Sequence, residues 1–362
     1  MKKLLLFVLM LMLAAACALA ESKESGDYTY ELLEDGTAII TEYTGSEAEV
    51  TVPTKWDGHA VSAISDWAYG DRPELTKVII PDSVTGIGSN PFYYCPNLTG
   101  IEVSLEHPTL AVIDGALYYK PEKSLICYPA GIYEMEYTIP QGIASIDSSA
   151  FNGARYLTTV NVPGSVKDIG NSAFEGCDDL TTINLAEGVE SLGYCVFDDC
   201  NSLRTITLPD SSTTLNDNPF ARCDALETIV VSLEHPALAV IDGVLFSTAD
   251  KRLVVYPCMK QSEAYEVPQG ITEIASHAFY NSPLKSIVIP DSVTKIETGA
   301  FECCGSLQSI TIPSSVTTFG DYLFNQCSEV TVTLTRSSAL VPYLKEENIS
   351  YTYSDLYDWL NN

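Results

Sequence analysis

Six cysteines recur at one point of a repeated frame: Cys95, Cys177, Cys200, Cys223, Cys304 and Cys327 each follow a phenylalanine by three residues. Thiols in register could close disulfides between successive turns, ligate zinc, or fill a narrow buried site as small apolar groups. No Cys-x-x-Cys pair is present, and Ala154 and Ser282 stand in the same column. Packing is therefore the expected role, with inter-turn disulfides as the alternative. Cys127, Cys195, Cys258 and Cys303 lie off the column and follow no pattern. His107 and His235 occupy duplicate Ser-Leu-Glu-His-Pro segments, where a loop histidine before proline is expected to form a turn rather than to catalyse; His59 and His277 are isolated. Asp178-Asp179 and Asp198-Asp199 fall at matching corners, read as solvated, with weak Ca²⁺ binding as the alternative. No nucleophile elbow, P-loop, zincin helix or glycosidase-like carboxylate pair is found. The sequence predicts no catalytic residue, no metal site and no cofactor.

Charge narrows the partners. The chain carries 48 acidic against 19 basic residues, a formal net charge of −29 over 362 residues. Such a surface repels phosphate backbones and anionic headgroups, so nucleic acid and direct membrane binding are not expected. At 46% hydrophobic residues the chain is too apolar for intrinsic disorder.

The elements that must carry these residues repeat every 23 positions. Leu157, Leu180, Leu203 and Leu226 open successive copies, as do Leu284 and Leu307, and the frame also fits Leu75 and Leu98. A larger copy lies above it: SLEHPTLAVIDG (104–115) returns as SLEHPALAVIDG (232–243), an offset of 128 that Phe92/Phe220 and Phe151/Phe279 share. Residues 75–202 and 203–330 are read as a tandem duplication. Within a copy, Leu-x-x-Ile-x-Ile alternates as a half-buried strand, and the proline after it (Pro81, Pro163, Pro209, Pro290, Pro313) ends the ladder. The second half spaces its apolar residues by three or four, which predicts a short helical or 3₁₀ turn carrying Phe inward. One coil buries too little to offset its ordering entropy, so coils must stack.

This frame resembles the BspA-like, or Treponema-type, leucine-rich repeat family. The resemblance rests on LTTVNVPGSVKDIGNSAFEGC (157–177) and LKSIVIPDSVTKIETGAFECC (284–304), and it runs from about Pro53 to Val330. It implies an exported or surface protein that binds other macromolecules, often in adhesion. The fold class expected is α/β: a solenoid with a parallel β-sheet on one face and short helical turns on the other.

Four further expectations complete the organisation. Residues 1–20 read as a secretory signal peptide cleaved after Ala20, with lipidation at Cys17 as the alternative. Residues 21–74 form an N-terminal β-hairpin cap around Asp35-Gly36 and an incomplete first repeat; 75–330 form the solenoid; 331–362 form a C-terminal cap. Two insertions, after Leu98 and Leu226, read as β-meanders rising from the solenoid. They act either as packing flaps or as contact platforms bearing Tyr118, Tyr119 and Phe246. Outward strand positions Thr159, Asn161, Thr182, Asn184, Thr205 and Thr207 form a nearly uncharged hydroxyl and amide surface, read either as strand preference for Thr or as a recognition face. The protein is accordingly expected to be a secreted or surface-attached, non-enzymatic, monomeric scaffold for a protein or matrix macromolecule. Carbohydrate binding is the alternative, and a hydrolase comes third.

Overall fold

The computed structural model describes residues 22–354. The signal-peptide and Cys17 readings therefore lie outside the described residues. The described chain forms two compact units: residues 22–133 with 143–154, and residues 134–142 with 155–354.

In the second unit the coil of Leu157 shows the plan. Thr159–Val162 forms the face strand, buried at Val160 and Val162 and open at Thr159 and Asn161. Pro163 ends it. A two-residue strand, Asp168–Ile169, returns along a second wall and pairs in parallel with Ser191–Leu192 of the next coil. The period-2 alternation of the first half thus becomes a strand, as the apolar pattern requires.

The third wall differs from expectation. Among the described residues the one α-helix is Val341–Glu346; the segments around the repeat Phe hold no helix. Residues two before and two after the repeat Phe take left-handed backbone angles instead, such as Ser172 (φ 51°) and Gly176 (φ 68°) around Phe174, and Cys195 (φ 51°) and Asp199 (φ 59°) around Phe197; at Phe220 the first of the pair is Asp217 (φ 76°). Those reversals turn the intervening amides toward the next coil. Phe174 N–H donates to Val196 O at 2.8 Å and Gly176 N–H to Asp198 O at 2.9 Å, and Phe197 N–H donates to Pro219 O at 2.8 Å. A helix would have spent these donors within its own turn; here they join coils. The helical returns of the expected α/β class are thus corrected to a β-solenoid turn, because a spacing of three to four also fits a compact left-handed corner.

The core follows from the stacking. Phe174, Phe197 and Phe220 lie ring on ring with centroids 5.5 Å apart, and Tyr256, Phe279, Phe301 and Phe324 form a second stack at 5.4–5.5 Å. The frame leucines Leu157, Leu180 and Leu203 are fully buried beside them.

The meander strands are Leu238–Ile241, Val244–Ser247 and Arg252–Val255, antiparallel to one another. They do not rise from the solenoid. Arg252–Val255 pairs in parallel with Glu273–Ile274 and so belongs to the second wall. At the end of the unit Ser350–Tyr353 pairs in parallel with Thr331–Leu334 beyond the short helix.

The first unit begins with the hairpin Tyr28–Leu32 and Ala38–Tyr43, whose second strand pairs in parallel with His59–Ile64. Its face strands are Glu49–Thr51, Lys77–Ile79 and Gly100–Glu102. Its meander, Leu110–Ile113, Ala116–Tyr119 and Ser124–Cys127, joins Ser145–Ile146 in the same manner as its copy.

Candidate binding surface

The cysteine column is built for hydrogen bonding as well as packing. Cys200 Sγ lies 3.2 Å from Phe174 O, Cys223 Sγ 3.0 Å from Phe197 O, Cys304 Sγ 2.9 Å from Phe279 O and Cys95 Sγ 3.1 Å from Tyr69 O. Each thiol donates to the aromatic carbonyl of the coil before it, and Phe174 O, Phe197 O and Phe279 O also accept the amide three residues on within their own corner. All described cysteines are free thiols. Burial raises the Cys95 pKa to about 11 and that of Cys223 well above the ordinary thiol range, so neither is a nucleophile. Ser282, in the same column, keeps a hydroxyl 3.4 Å from Cys304 Sγ.

The histidines form turns. His107 is fully buried; its Nδ1 accepts the Leu110 amide at 3.0 Å and its Nε2 lies 3.3 Å from Pro81 O, which fixes a neutral ring with the proton on Nε2. His235 repeats the arrangement on Leu238 and Pro209. Desolvation lowers the His107 pKa.

The corner carboxylates divide. Asp198 is buried rather than solvated, held by the Arg222 guanidinium, whose Nε donates to Asp198 Oδ1 at 2.8 Å. Asp178 accepts from Asn201 at the surface. Among the described residues no cluster of three or more candidate ligands could hold a metal ion.

The structure brings the six face residues together. Thr159, Asn161, Thr182, Asn184, Thr205 and Thr207 all point away from the core. Asn161 Nδ2 donates to Glu136 Oε1 at 2.9 Å and Thr138 Oγ1 at 3.0 Å, and Asn184 Nδ2 donates to Asn161 Oδ1 at 2.7 Å. This amide ladder stops at Asn184; the next place in the column is Thr207.

The backbone ladder stops there too. Thr159–Val162 pairs with Thr182–Leu185, and Thr205–Thr207 with Thr228–Val230, but among the described residues no strand pairing joins Thr182–Leu185 to Thr205–Thr207. The ladder register aims the Ile183 and Leu185 amides at that gap. The other walls stay closed across the same coils, through Ser191↔Thr214 and the Phe197–Phe220 stack. The seam therefore opens on the face alone, leaving a groove of about 600 Å³ lined by Asn161, Thr182, Asn184, Thr205 and Thr207.

Two residues passed over by the sequence reading flank the opening. Ala186 replaces the usual post-strand proline, and its amide donates to Val162 O at 3.0 Å, drawing the strand toward the coil before it. Glu187 caps the next corner, accepting from the Asp210 amide at 3.0 Å and the Ser211 amide at 3.2 Å. The signal in the sequence was Ala186 standing between Pro163 and Pro209, in a column that also lacks proline at Ser104 and Ser232.

The meander residues are corrected. Tyr118 and Phe246 are each 2% exposed, and Tyr119 is half-buried against the core. They cannot meet a partner as exposed platforms, because the meander sheet lies in the wall and turns these rings inward.

A model of the BspA type leucine rich repeat region matches residues 49–122, 132–247 and 256–352, in six copies. A leucine rich cell surface protein from Faecalibacterium prausnitzii A2-165 is similar in structure, with a TM-score of 0.59 and 27% identity over 94% of this chain and 97% of that one. The pneumococcal vaccine antigen PcpA shares the fold at a TM-score of 0.51 and 21% identity, covering 88% of this chain and 82% of its own. No functionally curated protein matches the chain. With the frame, the stacked coils and the matched model in agreement, the chain belongs to the BspA-type leucine-rich repeat family.

Proposed function

We propose that this protein is a surface-displayed or secreted binding scaffold without catalytic activity, and that it takes an extended segment of a protein partner across the open seam of its strand face. The observation that carries this reading is the groove between Thr182–Leu185 and Thr205–Thr207, where two neighbouring strands leave their mutual ladder unmade. Backbone donors at Ile183 and Leu185, with the hydroxyls of Thr182, Thr205 and Thr207, offer a peptide the hydrogen bonds that a closed sheet would have consumed. The absence of charge on these six residues keeps desolvation cheap at the centre of the patch, while the acidic remainder favours a basic partner. The relative from Faecalibacterium prausnitzii is a cell surface protein, which supports display.

The test is binding of the mature chain to immobilised host extracellular matrix proteins, followed by Thr182→Lys and Thr205→Lys. Each lysine should fill the groove and weaken the interaction by about tenfold, roughly 1.4 kcal/mol, with unchanged thermal unfolding. Full affinity in both variants would dismiss the seam as the contact.

A further inference from the structure

The first unit carries a second feature that the strand-face reading does not use. Trp67, Tyr93 and Tyr94 form a continuous aromatic rank, with centroids 5.8 Å apart for the first pair and 4.3 Å for the second. Trp67 is 55% exposed and Tyr94 49%, and both hold left-handed backbone angles of 55° and 52°. The angle belongs to the corner, which residues of many types occupy; the large exposed rings are what this corner adds. Tyr94 borders a depression of about 310 Å³ whose other walls include Asp71, Pro96, Ala130 and Asn152.

Asn152 is 4% exposed, and its Oδ1 accepts the Tyr94 amide at 3.2 Å. Its Nδ2 is buried and makes no hydrogen bond among the described residues. A buried amide donor without a partner costs free energy that a ligand acceptor would recover.

The internal duplication supplies a control. At the offset of 128, Tyr93, Tyr94 and Asn152 correspond to Ala221, Arg222 and Tyr280, and Arg222 there serves Asp198. The coil therefore folds without this aromatic rank or this amide, so the fold alone does not explain them.

We propose that this depression is a binding site for a neutral saccharide. A pyranose presents a C–H face that packs on an aromatic π surface, and hydroxyls that both donate and accept. Tyr94 supplies the surface within the depression, Tyr93 and Trp67 continue the rank outside it, and Asn152 Nδ2 is the donor and Asp71 an acceptor. The nearby cation is spoken for: Arg72 Nε donates to Tyr43 O at 2.8 Å and its Nη1 to Asp71 O at 3.0 Å. With Asp71 at the rim, acidic sugars are disfavoured. The site is independent of the strand-face seam.

The experiment is a neutral glycan array probed with the mature chain, with hits titrated by tryptophan fluorescence. Saturable binding to a neutral oligosaccharide is expected. It should weaken by about tenfold in Trp67→Ala, in Tyr94→Ala, and in Asn152→Asp, which keeps the acceptor for the Tyr94 amide and loses the donor. Thr182→Lys should bind as the parent does. Tyr94→Ala removes an exposed ring and should melt with the parent, so its result stands even where Asn152→Asp is destabilised. The proposal is overturned by no neutral saccharide binding at millimolar concentration, by undiminished binding in Tyr94→Ala, or by preference for an acidic glycan or an aromatic-rich peptide at this site.

Discussion

Across the same coils of the second unit, one wall is continuous and another is not. The Phe wall carries ring stacking, a thiol ladder and an amide ladder through Phe174, Phe197 and Phe220 without interruption. The face wall breaks between Thr182–Leu185 and Thr205–Thr207. Cohesion between coils is thus concentrated where the sequence is most regular, and the face is left free to vary and to open. A solenoid that depended on every wall equally could not tolerate a gap in one of them.

Three substitutions sharpen that contrast. The largest effect is expected from Phe197→Ala, which empties the middle of a stack packed on both sides; a loss of about 3–5 kcal/mol in urea unfolding is expected, against almost none for Thr205→Ala on the face. Equal effects would mean the two walls share the load. Arg222→Ala comes next. It strands the buried Asp198 carboxylate without its guanidinium, and because the Arg222 side chain is 45% exposed water replaces part of the loss, leaving about 1–2 kcal/mol. Arg222→Lys should recover only a part, since it cannot make the forked contact. Third, Cys223→Ala should cost about 1 kcal/mol by removing the thiol's bond to Phe197 O, which keeps only the Cys200 amide, and Cys223→Ser should cost less. The native chain should resist a water-soluble thiol reagent at Cys223, whose burial raises its pKa well above the ordinary value; rapid labelling would show the column open.

How much of this was legible depended on which physical rule governed each residue. Alternation located the face strands at the eight leucine frames, with a terminal proline marking the end of five of them, because burial of one side leaves a period of two. The hairpin around Asp35-Gly36 and the inserted meanders were legible from turn chemistry. The wall around Phe was misread as helical: a spacing of three to four does not distinguish a helix from two left-handed corners, and residues as unlike as Trp67, Cys195 and Tyr322 hold those angles. Tyr118 and Phe246 were misplaced for a related reason. Where a meander docks is set by the register of its last strand, and that register is not local. Of the candidate site, the six face residues were legible as outward positions. What marks their middle coil lies in Ala186 and Glu187, set between coils whose strands end in Pro163 and Pro209.

The smallest predicted effect is the most direct test of that distinction. Ala186→Pro restores the residue that ends the strand in the coils on either side. It removes the amide that bonds Val162 O, costing about 1 kcal/mol, and it stiffens the unfolded chain, returning about 0.4–1 kcal/mol. Net stability should therefore barely move. The seam should respond instead: freed from the coil before it, the Thr182–Leu185 strand can pair with Thr205–Thr207, and the Ile183 and Leu185 amides should exchange with solvent deuterium more slowly as they find partners. Partner affinity at the face should fall with them, since the donors offered to a peptide would be spent on the neighbouring strand. Unchanged exchange at Leu185 in a folded Ala186→Pro protein would show that the missing proline does not hold the seam open, and would shift the cause to the Glu187 cap on the Asp210 and Ser211 amides.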